Sequence, residues 1–292
     1  PACVQLLLEA KVCIDAQTTD KMSALMLAAK EGHVECLQLL IGAKADIHAK
    51  NASGETALML ASENDRCACM QLLIYANADV DVTREDGYSA LMSAAARDSV
   101  EILSLLLAAK ANVNVRSQNH DAALMLAVTR LETNCIRLLI SAKADIETPD
   151  QTDLTPLRYA VITHDLDRMQ LLLDAKVDPD AKDLYGRTAL HMAPLAPIEF
   201  FASLIDAKAN IEAKTNFGET ALMLAASSRD VDNMEVLLAA KANIDATDND
   251  GCNALMLAAE AGHIHCIELL LDPRTLREQQ RKRHRRNEEP PF

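Results

Sequence analysis

A seven-residue segment recurs along this chain at an almost fixed period, and that constrains the fold more than any other feature. Ser23-Ala24-Leu25-Met26-Leu27-Ala28-Ala29 returns as Thr56-Ala57-Leu58-Met59-Leu60-Ala61 and Ser89-Ala90-Leu91-Met92. Further copies start at Ala122, Thr155, Thr188, Thr220 and Asn253. The step is 33 residues throughout, except for 32 between Thr188 and Thr220. Regular self-similarity of this length marks stacked supersecondary units. A chain of 292 residues also exceeds what one hydrophobic core usually holds.

Inside each period a second block follows the first. His33-Val34-Glu35-Cys36-Leu37-Gln38-Leu39-Leu40-Ile41 has close echoes at 67–74, 100–107, 133–140, 230–238 and 263–271. Both blocks place apolar residues at i, i+3 and i+4, the one-sided pattern of a helix. A third block, Ala43-Lys44-Ala45-Asp46-Ile47 and its copies, leads into a turn with Gly54, Gly87, Gly186, Gly218 or Gly251. The predicted unit is helix, short turn, helix and an extended hairpin-like link. One unit cannot bury its own apolar faces, whereas stacked neighbours bury them for one another. With no Trp and only 3% aromatics, the core must be Leu, Ala, Ile, Val, Met and Cys, which suits thin, closely stacked layers.

These motifs resemble the ankyrin repeat. Thr155-Pro156-Leu157 and Thr188-Ala189-Leu190-His191 match that family's helix start, Gly32-His33 and Gly262-His263 its inter-helix turn, and Ala45-Asp46-Ile47 and Ala242-Asn243-Ile244 its hairpin entry. The resemblance implies an all-α solenoid: a partial repeat over 1–17, eight repeats over 18–272, and a basic capping helix and tail over 273–292. The chain opens on a second-type helix without its partner, so it reads as a fragment of a longer array. Two departures stand out. Lys44, Asn77, Lys110, Lys143, Lys176, Lys208 and Lys241 occupy a position where the family favours glycine. A side chain there in a left-handed C-cap costs about 1 kcal/mol. Met26, Met59, Met92, Met125, Met223 and Met256 stand where the family prefers a hydrogen-bonding histidine. Both departures are expected to loosen the stack.

Charge narrows the partners. Of 29 basic and 43 acidic residues, seven and three lie in 274–292, leaving 22 and 40 elsewhere, a net of −18. Such a body repels nucleic acid and anionic membranes and favours a basic protein partner. Nothing approaches the roughly 18 apolar residues of a membrane span. Arg281-Lys282-Arg283-His284-Arg285-Arg286 is the one basic run, read as a solvated tail, an import signal or a nucleic-acid arm.

No reaction centre is legible. Cys36, Cys69, Cys135 and Cys266 share one repeat position on the buried face of the second helix, beyond disulfide reach of one another at a helix-packing distance of about 8–10 Å. They read as core residues in a reducing compartment. His263-Ile264-His265-Cys266 lacks a second ligand pair for zinc. Asp248-Asn249-Asp250-Gly251 lacks the later residues of a calcium loop and reads as a hairpin turn. No nucleophile elbow or phosphate loop is present. The expected function is therefore non-enzymatic and cofactor-free: a monomeric scaffold or adaptor binding a protein, cytoplasmic or, if the basic run directs import, nuclear. The alternatives are a regulatory array of a larger enzyme or channel, and nucleic-acid binding through the tail.

The resemblance implies that partners meet the hairpin tips and the exposed side of the first helix. Most such positions are polar here, as at Asp20, Ser53, Glu55, Asp86, Asn119, Asp121 and Asp250. Met22 and Tyr88 are exceptions, and between 154 and 217 the surface turns apolar, with Leu154, Ile162, Leu184, Tyr185, Leu195 and Phe217. These eight are the candidate partner-binding residues, because exposed apolar groups flanked by charge resemble interface hot spots. Pro194 and Pro197, with the one-residue deletion, fall in the same stretch.

Overall fold

A computed structural model describes residues 1–130, 133–192 and 196–272. The expected capping helix and tail, and Leu195 with Pro194, lie outside the described residues. The chain divides into two compact units, the first spanning Pro1–Thr152 and the second starting at Asp153.

In the first unit, helix α1 (Ala2–Glu9) precedes four helix pairs: α2 (Ala24–Glu31) with α3 (Val34–Gly42), α4 (Ala57–Glu63) with α5 (Cys67–Tyr75), α6 (Ala90–Arg97) with α7 (Val100–Ala108), and α8 (Ala123–Val128) with α9 (Asn134–Ser141). The second unit holds α10 (Pro156–Ile162) with α11 (Leu166–Asp174), α12 (Ala189–Met192) with α13 (Ile198–Asp206), α14 (Ala221–Ser227) with α15 (Val231–Ala239), and α16 (Ala254–Glu260) with α17 (Ile264–Leu271). Within each unit first helices pack on first helices and second helices on second helices, as α2 on α4 on α6 and α11 on α13 on α15 show. The described residues form no named strand; isolated bridges such as Gln17 to Ser23 and Thr83 to Ser89 pin the hairpin stems. This is the all-α solenoid stack that the periodicity predicts.

Local chemistry explains the start and stop of each helix. Ser23, Thr56, Ser89, Thr155, Thr220 and Asn253 each accept a bond from the backbone N–H three residues on, satisfying a donor that the first turn leaves free. Ala122 makes no such cap for α8. The second helices from α3 to α15 are each followed by a left-handed residue, at the seven positions read from the sequence, with φ from 62° at Asn77 to 70° at Lys241. In α7 the Lys110 N–H meets the Leu107 carbonyl at 3.0 Å and the Ala111 N–H meets Leu106 at 3.0 Å, the paired bonds of a Schellman motif. The motif thus forms with lysine in place of glycine.

Successive repeats are also tied by a hydrogen bond that recurs at one register. A side chain at the hairpin entry accepts the backbone N–H of the residue 31 later, as in Asp15 to Asp46, Asp81 to Asn112 and Asn114 to Asp145. Glu212 to Asn243 repeats it in the second unit. The hairpin tips lie close together: a Cβ on Gly218 would sit 2.8 Å from the Asn249 nitrogen, and φ there is +82°. Glycine at that position therefore answers both a backbone and a packing demand.

The core is aliphatic as expected, with Leu25, Leu58, Leu91, Leu124, Leu157, Leu190 and Leu222 all buried. All eight cysteines are free thiols; Cys69, Cys135 and Cys266 are buried, while Cys36 is half-buried rather than fully enclosed. Burial pushes the Cys135 thiol up to about 12, helped by its bond to Asp98, so it is inert filling. No helix among the described residues is long and apolar enough to cross a membrane.

Several core positions of the second unit depart from the pattern, and two of them, Arg158 and Asn233, are buried polar groups with partners of their own. Arg158 stands where the other first helices carry methionine or histidine, and it is 2% exposed. Its guanidinium donates to the Asp153 carbonyl oxygen and lies 3.8 Å from that residue's carboxylate. Asn233 takes a cysteine position in α15 and is equally enclosed. Its amide donates to the Ala196 carbonyl at 2.8 Å and to Asp230 at 2.8 Å. Asn233 from the next repeat thus supplies a donor to the backbone just ahead of α13.

Candidate partner-binding surface

The hairpin tips of the second unit carry three exposed large apolar groups, Leu184 at 78%, Phe217 at 62% and Tyr185 at 57%. Each sits where its turn reverses. Asp183 accepts the N–H groups of Tyr185 and Arg187 at 2.9 and 2.7 Å, which closes the tip and leaves Leu184 and Tyr185 outward. The next tip repeats this through Thr215, whose hydroxyl accepts from Phe217 and Glu219. A backbone bond from Asn216 to Tyr185, 2.8 Å, sets the two tips side by side. Leu184 is in turn fixed through its own N–H to the Asp153 carboxylate at 2.8 Å.

Between the tips and the first helices opens a cavity of about 350 Å³. Tyr185 and Phe217 form its walls, Arg187 and Glu219 its charged rim, and His191 and Leu224 part of its floor. The Arg187 guanidinium stacks 4.9 Å over the Tyr185 ring and pairs with Asp183 at 2.7 Å. Burial works to raise the Asp183 carboxyl, but the Arg187 and Tyr185 N–H groups and the Arg187 charge together hold it below the ordinary carboxylate range. His191 is buried, which lowers its pKa against the opposing pull of the Glu219 and Ala213 carbonyls. Its Nδ1 faces the Thr188 hydroxyl at 2.9 Å and its Nε2 faces the Ala213 and Glu219 carbonyls at 3.1 and 3.2 Å. The imidazole thus bridges a helix start to the next hairpin, a tie that methionine in the other repeats cannot make.

The described candidate residues fall into three groups. Tyr185 and Phe217 are brought together, with Leu184 on the same tip. Ile162, 47% exposed at the end of α10, and half-buried Leu154 belong to the preceding repeat. Leu195 lies outside the described residues. Met22 and Tyr88 belong to the first unit and are half-buried: the Asn51 amide donates to the Met22 sulfur at 3.5 Å, and Arg84 covers the Tyr88 ring at 4.6 Å.

The sequence reading missed Arg187, whose stacking on Tyr185 makes it part of the same surface. An Arg two residues after a tip aromatic is the signal that was available. It also missed a second cavity in the first unit, of about 560 Å³, lined by Glu63, Arg84, Tyr88, Ser93, Arg97 and Arg130 among others. In the His263-Ile264-His265-Cys266 run, the His263 ring faces the Ala226 carbonyl, exposed His265 pairs with Glu268, and Cys266 is enclosed. Among the described residues no group of three His, Cys, Asp or Glu could hold a metal ion.

A family model described as "Ankyrin repeats (3 copies)" matches residues 1–86, 65–150, 124–196 and 196–280. No curated protein matches the chain.

Proposed function

Since the chain belongs to the ankyrin repeat family, whose repeats are generally protein–protein interaction modules, we propose that it is a non-enzymatic recognition scaffold whose second unit grips a protein partner. The observation that carries this reading is the pairing of Tyr185 and Phe217 across an open cavity, with Leu184 beside them, on hairpins locked by their own hydrogen bonds. Exposed aromatic anchors on a pre-ordered backbone lose little entropy on binding and supply the apolar contact that hot spots need.

The favoured ligand is a segment that places one aliphatic or aromatic side chain between the two rings and carries basic residues around it. Residues 153–272 hold nine basic and 20 acidic residues, a net of −11, so the surroundings attract cations. Glu219 on the cavity rim offers a carboxylate for one of them.

Affinity purification with the wild-type chain and with Tyr185→Ala/Phe217→Ala, followed by quantitative mass spectrometry, tests the proposal. The double variant is expected to lose a defined set of proteins, while Tyr75→Ala, which trims a fully exposed aromatic in the first unit, keeps them. Unchanged recovery by a double variant that melts like wild type would overturn the assignment.

A further inference from the structure

The cavity of the first unit has the opposite chemistry. Glu63 and Arg97 are the last residues of α4 and α6, and Arg130 follows the end of α8. Arg97 and Arg130 occupy the same repeat position, 33 residues apart, so two guanidinium groups stand in successive layers on one wall. Both are exposed, and among the described residues neither has a carboxylate within ion-pair distance. The facing wall is the hairpin, where Arg84 is held between Glu55 at 3.3 Å and Asp86 at 3.2 Å and lies over Tyr88. Burial raises the pKa of the Tyr88 hydroxyl, so the ring stays neutral and can donate a hydrogen bond.

We propose that this cavity takes an acidic segment of a protein, with a carboxylate side chain seated between Arg97 and Arg130 and the segment's backbone along Tyr88. The fork of a guanidinium matches a carboxylate in two parallel hydrogen bonds, and two such forks in register form a receptor for it. A volume of about 560 Å³ exceeds what a lone inorganic anion needs and falls in the range of a cavity that holds several side chains. A nucleic acid fits less well. Residues 1–152 carry 13 basic and 20 acidic residues, a net of −7, and Glu63 stands on the cavity wall itself. A continuous chain of phosphates would meet those carboxylates, whereas an isolated acidic side chain meets only the two free cations. The inference is independent of the apolar site in the second unit, which is expected to take a basic segment. Together they make the chain a receptor for two segments of opposite charge.

The experiment uses the whole chain, isotope-labelled so that the arginine side-chain N–H signals can be followed by NMR. The probes are a short peptide with two glutamates in a glycine–serine frame, its glutamine counterpart, and a short oligothymidylate. The glutamate peptide is expected to move the Arg97 and Arg130 signals saturably. Arg137, an exposed arginine on α9, serves as the internal reference and stays put. Arg97→Glu/Arg130→Glu should weaken the peptide about tenfold or more, and Glu63→Gln should tighten it a few-fold. Should the charge reversal disturb folding, Arg97→Gln/Arg130→Gln gives the same comparison at lower cost to the fold. The proposal is overturned if Arg137 moves as much as the other two, if the glutamine peptide binds equally, or if oligothymidylate displaces the glutamate peptide at lower concentration.

Discussion

In the first unit, the third residue of every first helix is methionine: Met26, Met59, Met92 and Met125, all buried. In the second unit the same position reads Arg158, His191, Met223 and Met256, and the last of these is 54% exposed. The second helices show the same contrast. Cys69, Ile102 and Cys135 fill their position in the first unit, against Arg168, Phe201, Asn233 and Cys266 in the second. The difference teaches how a stacked repeat absorbs change. Each layer contacts only its neighbours, so a polar group can enter if one local partner meets it. Arg158 has Asp153, Asn233 has Ala196 and Asp230, and His191 has the hairpin that follows. The same unit carries apolar tips outside, while the unit with the uniform core carries the basic cavity.

The sharpest way to break this contrast is to place the second unit's arginine in the first. Met92→Arg would bury a guanidinium in a layer where the residue equivalent to Asp153 is Gly87. An uncompensated buried charge costs about 3–5 kcal/mol, so the unfolding midpoint in urea should fall sharply. Adding Gly87→Asp should recover only part of the loss, because the hairpin at Gly87 leaves a Cβ just 3.0 Å from Ser117. A Met92→Arg chain as stable as wild type would mean that the layers are loose enough to hydrate the new charge.

Next in size is Asn233→Cys, which gives α15 the residue found in four of its counterparts, Cys36, Cys69, Cys135 and Cys266. Sequence regularity alone favours the change. The structure predicts the reverse, since the Ala196 carbonyl loses a donor inside the stack. The loss should be about 2 kcal/mol, read as a lower melting temperature. Asn233→Asp, which keeps the volume and removes the donor, should fare no better.

Arg158→Met tests the same idea with the opposite sign. Asp153 remains bonded to the Leu184 N–H after the change, and an apolar side chain of similar volume then fills the layer. Replacing a buried ion in this way is expected to stabilise by about 1 kcal/mol, seen as a small rise in denaturation midpoint. A clear loss of stability would show that the arginine is integral to the helix start.

These cases also show what a sequence reader can and cannot see. The repeat period, the Ser/Thr caps, the left-handed lysines and the tip residues Tyr185 and Phe217 all follow from local chemistry repeated at a known register. Arg158 was visible as a letter but not as a buried group, because arginine is almost always solvated unless paired, and its partner precedes it by five residues in an unremarkable turn. Asn233 was equally opaque: its role depends on a carbonyl in the previous repeat, 37 residues earlier. The basic cavity escaped notice because Arg84, Arg97 and Arg130 come from two hairpin-to-helix segments and converge only when the layers stack.

The smallest expected effect lies within the regular unit itself. Ala122 is the one first-helix start there without a capping side chain, and its neighbours Ser23, Thr56 and Ser89 show the missing bond. The backbone at Ala122 already has the extended geometry of a cap, with φ −113° and ψ 154°. Ala122→Thr therefore needs no rearrangement to accept the Met125 N–H, and a cap of this kind is worth about 1 kcal/mol. Hydrogen exchange should slow at the first turn of α8 and little elsewhere, since the bond is local to that layer. If the slowing spread across the other helix starts of the first unit, the layers would be coupled more tightly than nearest-neighbour stacking allows, and the tolerance inferred from the second unit would need another cause.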